Sequence, residues 1–225
     1  MSTYEIEIKS LLGSKDRADK LKSQIKTKGA KLISSNKQLN HYFVVPENAR
    51  FSDFEKKLEP HVKKSKKTLF KKILTEGEDL SIRTRETDDK ILLVVKASVG
   101  DDTSANGVSR MEFESTVDMS LDKLDKVLLD AGLKYQAKWS REREEYKMRD
   151  VSICLDKNAG YGYLAEFEKV IPDHTEADKV KAELLSLMDE FEIRELMQDR
   201  LERMFAYYNS HWQDYYRTDK IFIIK

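Results

Sequence analysis

The 225-residue chain carries 41 basic and 41 acidic residues, so its formal net charge is zero. That balance excludes a protein held to nucleic acid or to a membrane by bulk charge, and a 40% hydrophobic content excludes a low-complexity disordered chain. The lone Cys154 excludes a disulfide framework and fits a reducing compartment, and no apolar run approaches the roughly 20 residues that span a bilayer. We therefore expect a cytoplasmic globular protein without a membrane partner and without nucleic acid as its main partner.

Apolar residues recur with a period of two in some stretches and of about 3.6 in others, which predicts both strands and helices. Strands are predicted, in chain order, at residues 4–9, 40–45, 80–86, 90–97, 108–116, 133–147, 151–156 and 162–170. Helices are predicted at residues 14–28, 51–73, 121–131 and, in two pieces, 175–216. Ser14 and Ser120 are placed to cap the N-termini of their helices. Gly29 and Gly132 are placed to end them, and Pro60 to interrupt the second helix.

About eight strands in hairpins, with helices in the connections and at the C-terminus, favour an α+β fold. A closed or nearly closed eight-stranded antiparallel β-barrel is the simplest architecture for such a chain. Neither an internal repeat nor a linker divides the sequence, so a single domain is predicted over residues 1–225. Its barrel strands would cover about residues 4–170, and a C-terminal helical extension would cover about residues 175–217.

The charged residues of the predicted strands recur as like-charged pairs spaced two residues apart. The pairs are Glu5/Glu7, Arg83/Arg85, Glu112/Glu114, Arg141/Arg143 and Glu166/Glu168. A spacing of two puts both side chains on one face of a strand, about 6.5–7 Å apart. Paired carboxylates at that distance can converge on a divalent cation, and paired guanidinium groups can bind phosphate oxygens. The alternative is that these faces are only the solvated side of a half-buried sheet.

The charges of these strand faces balance if all of them point into one barrel. The basic residues are Lys9, Arg83, Arg85, Lys96, Arg110, Arg141 and Arg143, and the acidic residues are Glu5, Glu7, Glu112, Glu114, Asp156, Glu166 and Glu168. A polyanion with about four charges that enters with two divalent cations leaves this balance undisturbed. The interior would therefore suit a metal–triphosphate complex better than either component alone.

A series of short motifs follows these strands in order. They are Glu5-Ile6-Glu7-Ile8-Lys9, His41-Tyr42-Phe43, Leu80-Ser81-Ile82-Arg83-Thr84-Arg85, Lys96, Arg110-Met111-Glu112-Phe113-Glu114, Arg141-Glu142-Arg143 with Tyr146, Leu155-Asp156, and Gly160-Tyr161-Gly162 leading into Glu166-Phe167-Glu168. Taken together, the series resembles the CYTH superfamily, the triphosphate tunnel metalloenzymes, whose ExExK signature is matched by the first motif. The resemblance covers residues 4 to about 170.

The resemblance implies an eight-stranded antiparallel tunnel that acts on triphosphates with Mg²⁺ or Mn²⁺. The residues that it implies as metal ligands are Glu5, Glu7, Glu114, Asp156, Glu166 and Glu168. The residues that it implies for phosphate binding are Lys9, Arg83, Arg85, Lys96, Arg110, Arg141 and Arg143. The predicted catalytic residues among them are Glu5, Glu7, Lys9 and Arg143. The expected partner is a triphosphate-bearing small molecule.

Three functions are compatible with this resemblance. The first is a metal-dependent triphosphatase that cleaves the terminal phosphoryl group of inorganic triphosphate or of an organic or nucleoside triphosphate. The second is a class IV adenylyl cyclase that converts ATP to cyclic AMP and pyrophosphate, which the His41-Tyr42-Phe43 motif favours. The third is a non-catalytic polyphosphate- or nucleotide-binding module, which we rank lower because both the acidic and the basic residues are present.

Several other residues are assigned structural roles. His41 is expected to make a structural hydrogen bond, and Cys154 to be a small buried residue rather than a nucleophile. The aromatic residues of the last predicted helix, Phe205, Tyr207, Tyr208, Trp212, Tyr215 and Tyr216, are expected to pack against the barrel. The alternative for this aromatic cluster is a homodimer surface or a base-stacking platform.

Overall fold

The computed structural model describes residues 4–46, 51–88, 90–98 and 110–224. Its strands are β1 (Tyr4–Leu11), β2 (Lys31–Val44), β3 (Glu78–Thr87), β4 (Lys90–Ser98), β5 (Arg110–Thr116), β6 (Lys134–Met148), β7 (Val151–Asn158) and β8 (Gly162–Ile171). Its α-helices are α1 (Lys15–Thr27), α2 (Phe51–Leu58), α3 (Lys67–Glu76), α4 (Leu121–Asp130), α5 (Ala177–Asp189) and α6 (Gln198–Tyr215). In these residues, no helix is long and apolar enough to cross a membrane.

The strands are hydrogen-bonded into one eight-stranded sheet in the order β1-β8-β7-β6-β2-β3-β4-β5. The pairs β1–β8, β7–β8, β6–β7, β2–β3, β3–β4 and β4–β5 are antiparallel. Strands β1 and β5 stand at the two ends of this order. The predicted α+β class, with eight antiparallel strands and with helices in the connections and at the C-terminus, is confirmed.

The chain divides into two compact units. The first unit is built from the described parts of Met1–Lys37 and Ser140–Lys225, and the second from those of Gln38–Asp102 and Arg110–Trp139. Strands β2 and β6 each contribute residues to both units. A single domain over residues 1–225 stays a prediction.

In the first unit, apolar residues at alternate strand positions pack against helices. Ile6 and Ile8 of β1 are 1% exposed, and Phe167 of β8 is fully buried. Leu21 of α1 and Leu184 of α5 belong to the same core cluster. Full burial of such a side chain stabilises the fold by about 1.5–3 kcal/mol, so this face of the strands is fixed toward the helices. Alternation then directs the charged residues between them to the opposite face.

In the second unit, the same alternation builds a separate core. Ile82 of β3 and Phe113 of β5 are fully buried, as are Phe70 of α3 and Leu124 of α4. The rings of Phe70 and Phe113 lie 4.9 Å apart between centroids. The charged residues of β3 and β5 therefore lie on the face away from these helices.

The capping predictions are confirmed at both serines. Ser14 accepts a hydrogen bond from the backbone N–H of Arg17 at 3.3 Å, and Ser120 accepts one from Lys123 at 3.4 Å. The predicted interruption of the helix 51–73 at Pro60 is confirmed, because 3₁₀ turns over Glu59–His61 and Lys64–Lys66 separate α2 from α3.

Strand β2 is longer than the predicted 40–45 and starts at Lys31. Polar contacts within the first unit accompany its first half. The Ser34 hydroxyl donates to Glu145 Oε2 at 3.2 Å, and Lys37 Nζ lies 3.5 Å from a Glu142 oxygen. Periodicity could not find this segment because its stabilising contacts are polar.

The C-terminal helices and the last residues pack on the turn that precedes β8. Tyr208 of α6 is fully buried, and its ring lies 5.5 Å from that of Tyr161. The Gly160 N–H donates to the Lys220 carbonyl at 2.9 Å, and the Phe222 N–H donates to the Gly160 carbonyl at 2.8 Å. Gly160 has a φ of +85°, and a Cβ there would lie 2.7 Å from the Tyr208 ring. The predicted packing of the aromatic cluster is confirmed at Tyr208. The close approach of the Tyr208 ring explains why residue 160 is a glycine.

Candidate functional site

Charged residues of four neighbouring strands share one face of the sheet in the first unit. Glu7 is paired with Glu168 and Lys9 with Glu166, and directly paired residues of antiparallel strands lie on the same face. Glu166 is paired in turn with Cys154 of β7, which extends this face to the next strand. We call the charged residues of this face the β1–β8 cluster; they are Glu5, Glu7, Lys9, Arg141, Arg143, Asp156, Glu166 and Glu168.

Lys9 lies between two carboxylates of the β1–β8 cluster. Its ammonium group pairs with Glu7, and it lies 3.9 Å from Glu166 Oε1. Burial disfavours the charged form of Lys9, but the Glu7 and Glu166 carboxylates outweigh it and raise the Lys9 pKa. Lys9 is therefore a charged donor that a phosphate oxygen could take over from Glu7.

The two arginines of β6 converge on one buried carboxylate. Asp156 is 2% exposed; its Oδ1 accepts from Arg143 Nε at 2.7 Å, and its Oδ2 accepts from Arg143 Nη2 at 2.6 Å. Arg141 Nη1 also donates to Asp156 Oδ2, at 3.0 Å. Asp156, predicted as a metal ligand, thus engages both of its oxygens with guanidinium groups; its role as a ligand stays a prediction.

Arg143 also pairs with Glu166, which joins the two halves of the cluster. Burial opposes the charge on Arg143, but Glu166 and Asp156 hold its pKa well above the usual value. Burial likewise opposes the charge on Glu166, but Arg143, then Lys9 and Arg141, lower its pKa far below the usual range. This half of the cluster is therefore a fully charged, mutually paired set.

Glu168 has the opposite electrostatic situation. Burial raises its pKa first, and the neighbouring carboxyl group of Glu5 adds to the effect, followed by Glu7 and Glu166, so that the pKa reaches about 8. Glu5 and Glu168 also share a side-chain hydrogen bond. Protonation of Glu168 reduces the repulsion among these carboxyl groups, and a bound cation would reduce the same repulsion.

The residues of the β1–β8 cluster fit a hard divalent cation by their chemistry. Carboxylate oxygens are the ligands that Mg²⁺ and Mn²⁺ prefer, and Glu5, Glu7 and Glu168 supply them on two adjacent strands. Across the described part of the chain, no group of three His, Cys, Asp or Glu side chains is arranged to hold a metal ion as it stands. A cation bound by Glu7 would have to compete with the Lys9 ammonium group, which pairs with Glu7 in this arrangement.

A second charged group lies on one face of the sheet in the second unit. We call it the β3–β5 cluster; its described members are Arg83, Arg85, Lys96, Glu112 and Glu114, with Asn40 and Tyr42 of β2. Arg83 Nη1 donates to the Tyr42 hydroxyl at 2.7 Å, and Arg85 Nε donates to Asn40 Oδ1 at 2.8 Å. Each of these arginines is therefore oriented by the β2 residue directly opposite it.

The predicted acidic residues of β5 pair with cations of the same unit. Glu114 Oε2 accepts from Arg85 Nη1 at 3.2 Å, and Lys96 Nζ lies 3.1 Å from Glu112 Oε2. The role of Glu114 as a metal ligand stays a prediction. Arg110 begins β5, and its side chain lies outside the described residues.

Arg83 retains donor capacity in this environment. Its Nε is buried and has no hydrogen-bond acceptor among the described residues. Burial opposes its charge, but Tyr42, Glu112 and Glu114 raise its pKa. A buried guanidinium N–H without an acceptor is costly, so an incoming anionic oxygen would be favoured there.

A buried polar network behind β2 and β3 was not anticipated from the sequence. His41 lies on the face toward α4, 3% exposed, with Nδ1 2.6 Å from Asp125 Oδ2. The predicted structural hydrogen bond of His41 is thus confirmed. Asp125 is 2% exposed and lies within the apolar stripe of α4, four residues after Leu121. An aspartate at a buried position of a helix needs polar partners, and this is the signal that could have revealed the network.

Cys154 is a buried thiol on the same face as the β1–β8 cluster. It is 4% exposed, and burial raises its pKa to about 12, an effect that Arg143 only partly offsets. A thiol with this pKa stays neutral at physiological pH. The prediction of a buried small residue is confirmed, although Cys154 lies among charges and not in the apolar core.

Comparison with known proteins agrees with this fold and these motifs. Residues 69–200 match the CYTH domain family. The chain belongs to the CYTH domain family. The matched residues include the described arginines of both charged clusters, while Glu5, Glu7 and Lys9 precede them. The comparison with curated proteins found no match.

Solved structures similar to this CYTH protein cover most of its length. A protein of Pyrococcus horikoshii has a TM-score of 0.62 at 20% identity, over 91% of this chain and 99% of that one. A Vibrio parahaemolyticus protein named as a candidate adenylate cyclase has a TM-score of 0.60 at 16% identity, over 92% and 99%. A candidate adenylyl cyclase from Hippeastrum, described as having a dominant triphosphatase activity, has a TM-score of 0.51 at 15% identity, over 88% and 95%. At these identities the similarity shows a common fold.

Proposed function

We propose that the protein is a divalent-metal-dependent phosphohydrolase that removes the terminal phosphoryl group of a triphosphate. The substrate class is inorganic triphosphate or an organic or nucleoside triphosphate. The observation that carries this proposal is the pairing of Glu7 with Glu168 next to the Lys9–Glu166 pair, which puts carboxyl groups and an ammonium group on one face. Membership in the CYTH domain family supports it.

The carboxylates of β1 and β8 are the proposed ligands for Mg²⁺ or Mn²⁺. They are Glu5, Glu7, Glu166 and Glu168, which the register brings side by side on the β1–β8 cluster. When bound, the ion supplies neutralisation of phosphate charge and lowers the pKa of a coordinated water. If Glu7 held the ion in place of Lys9, the Lys9 ammonium group would be available to a phosphate oxygen.

Lys9, Arg141 and Arg143 are the proposed phosphate-binding residues of the first unit. The fork of Arg143 is oriented by Asp156 through two hydrogen bonds of 2.6 and 2.7 Å. Such a guanidinium needs little reorganisation when negative charge develops on a leaving diphosphate, and preorganised donors are the main source of catalysis in phosphoryl transfer. In the second unit, Arg83 and Arg85 are the corresponding candidates, since both are oriented and Arg83 Nε lacks an acceptor among the described residues.

A class IV adenylyl cyclase is the second candidate, and an aromatic pair of the second unit favours it. Tyr42 and Trp139 contact each other edge to face, with centroids 6.3 Å apart, and Tyr42 also contacts Arg83. Aromatic rings beside a phosphate-binding arginine can stack on a nucleobase. The His41-Tyr42-Phe43 motif gives weaker support, because His41 and Phe43 lie on the buried face of β2.

Product analysis tests the proposal. The purified protein is incubated with Mg²⁺ or Mn²⁺ and either tripolyphosphate or ATP, and products are separated by ion-exchange chromatography. Phosphate with pyrophosphate or ADP is the expected result, whereas cyclic AMP with pyrophosphate would identify the cyclase. Tight triphosphate binding without any product would instead support the non-catalytic binding module.

A matched pair of variants assigns any activity to the β1–β8 cluster. Glu7→Gln alters a cluster carboxylate, whereas Glu142→Gln alters a 54%-exposed carboxylate on β6. The activity should be lost in the first variant and kept in the second.

A further inference from the structure

One carboxylate of α4 holds two strands together from behind. Asp125 Oδ1 accepts a hydrogen bond from the Thr84 hydroxyl of β3 at 2.6 Å. Its Oδ2 lies 2.6 Å from His41 Nδ1 of β2 and accepts from the Tyr135 hydroxyl at 2.6 Å. Lys138 Nζ is 4.0 Å from the same oxygen. Asp125 is therefore a buried hub with partners on β2, β3 and β6.

The two strand residues bound by Asp125 are directly opposite each other. In the β2–β3 register, His41 pairs with Thr84, so one carboxylate bridges a cross-strand pair. The flanking pairs of the same register are Tyr42 with Arg83 and Asn40 with Arg85. Because side chains alternate along a strand, these flanking pairs point to the other face, into the β3–β5 cluster.

The flanking pairs are the ones that orient the arginines. Arg83 Nη1 donates to the Tyr42 hydroxyl at 2.7 Å, and Arg85 Nε donates to Asn40 Oδ1 at 2.8 Å. Both contacts span the β2–β3 pair, so their geometry depends on the spacing and register of these strands at His41 and Thr84. Asp125 fixes that spacing at the midpoint between the two arginines.

We propose that Asp125 is a positioning residue that acts through Thr84 and His41 to aim the Arg83 and Arg85 guanidinium groups at a phosphate ligand. The inference rests on the proposed function, since it assumes that these arginines bind phosphate. A forked guanidinium loses affinity when it is displaced by about 1 Å, whereas an ammonium group is a point charge that tolerates such a shift. This difference separates positioning from simple stabilisation.

The test removes one donor of the hub without removing bulk. Thr84→Val keeps the β-branched shape but leaves Asp125 Oδ1 without the hydroxyl, and Thr84→Ser restores the donor. Binding of a non-hydrolysable methylene-bridged triphosphate in Mg²⁺ is measured by calorimetry. We expect the Kd to rise about tenfold in Thr84→Val and to stay within twofold of wild type in Thr84→Ser. Asp125→Asn, which keeps the shape of the side chain, should raise the Kd at least as much as Thr84→Val.

The decisive arm repeats Thr84→Val in an Arg83→Lys/Arg85→Lys background. Lysine keeps the charge without the fork, so the effect of Thr84→Val on the Kd should shrink to less than twofold. Leu124→Ala is the control on the same helix, because Leu124 is fully buried and outside the polar network. It should lower the melting temperature and leave the Kd unchanged.

Two results would overturn the inference. One is an equal loss of affinity from Thr84→Val in the arginine and lysine backgrounds, and the other is an unchanged Kd in both Thr84→Val and Asp125→Asn. Failure of the proposed function is recognised separately, because wild-type protein would then bind the analogue without hydrolysing tripolyphosphate, or would not bind it at all.

Discussion

Glu7 of β1 lies directly opposite Glu168 of β8, so two carboxyl groups face each other across adjacent antiparallel strands. Like charges in directly opposed positions destabilise a sheet. Two features relieve the repulsion here, since Glu7 pairs with Lys9 and the pKa of Glu168 is raised to about 8 by burial and by Glu5, Glu7 and Glu166. A divalent cation would relieve it without a proton, so we expect this pair to couple pH, metal binding and stability.

The raised pKa of Glu168 predicts how stability depends on pH in the absence of metal. Between its ordinary value of 4.5 and about 8, the folded state holds a proton that the unfolded state has lost. The contribution of Glu168 to stability is therefore fully present below 4.5 and is lost as the pH rises through about 8. We expect the melting temperature in EDTA to fall as the pH is raised across this interval.

Variants separate Glu168 from other titrating groups in this experiment. Glu168→Gln cannot lose a proton, so its melting temperature should fall less steeply over the same pH range. Glu142→Gln, on an exposed carboxylate of β6, should keep the wild-type slope. Identical slopes in wild type and Glu168→Gln would mean that Glu168 does not hold the proton.

Glu7→Gln is expected to abolish turnover while it spares the fold. The side chain is 26% exposed on a polar face, so its amide leaves no cavity and removes carboxylate repulsion. Loss of one proposed metal ligand should nevertheless reduce activity by about 100-fold or more. Phosphate release from tripolyphosphate and a thermal melt check both parts, and near-wild-type activity would remove Glu7 from the metal site.

Asp156→Asn distinguishes a metal ligand from a residue that orients arginines. Asparagine can accept hydrogen bonds on one atom only, so Arg143 loses one of its two hydrogen bonds to residue 156 in either orientation of the amide. Because removing part of a buried charge pair is costly, we expect destabilisation of about 2–4 kcal/mol in a urea titration. We also expect weaker binding of a non-hydrolysable triphosphate, with little change in the affinity for Mn²⁺ alone. A large loss of Mn²⁺ affinity with intact triphosphate binding would assign Asp156 to the metal instead.

The strands that carry the proposed site could be predicted because their apolar residues alternate with charges. Ile6 and Ile8 are buried between Glu5, Glu7 and Lys9, so a period of two identifies both the strand and its charged face. Register could not be read in this way. Strand pairing brings Glu7 opposite Glu168 and brings Arg141 and Arg143 into hydrogen-bonding distance of Asp156. No local sequence pattern encodes this pairing.

Features stabilised by polar contacts were missed for a related reason. The first half of β2 contains Ser34 and Lys37, which pair with residues of β6 and leave no apolar alternation. Asp125 was missed because an aspartate in a helix is ordinarily exposed, and two of its partners, His41 and Thr84, lie far from it in the sequence. In both cases, stabilising partners are remote in sequence.

Gly160→Ala tests whether the Gly160-Tyr161-Gly162 motif serves packing or chemistry. The new Cβ would lie 2.7 Å from the Tyr208 ring and 3.0 Å from that of Phe222, at a φ of +85°. We expect destabilisation of about 1–3 kcal/mol from strain and overpacking. Triphosphate hydrolysis below the melting temperature should stay within about twofold of wild type, since Gly160 makes its contacts with α6 and the C-terminal residues. A stable variant without activity would place the motif in the reaction.

Metal and triphosphate together should stabilise the protein more than the sum of their separate effects. The β1–β8 cluster holds five carboxyl groups against the three cations Lys9, Arg141 and Arg143, so a polyanion alone meets excess negative charge there. A divalent cation neutralises that excess and so favours binding of the triphosphate. A ligand that binds only the folded state stabilises it by RT ln(1 + [L]/Kd). At a hundredfold excess over Kd this is about 2.7 kcal/mol, or about 5–10 °C in melting temperature for a chain of this length.

The measurement is a thermal melt with Mg²⁺ alone, with a non-hydrolysable triphosphate alone and with both, at constant free Mg²⁺. Strictly additive shifts would mean that the metal and the triphosphate do not share a site, and the charged strand faces would then be only the solvated side of the sheet.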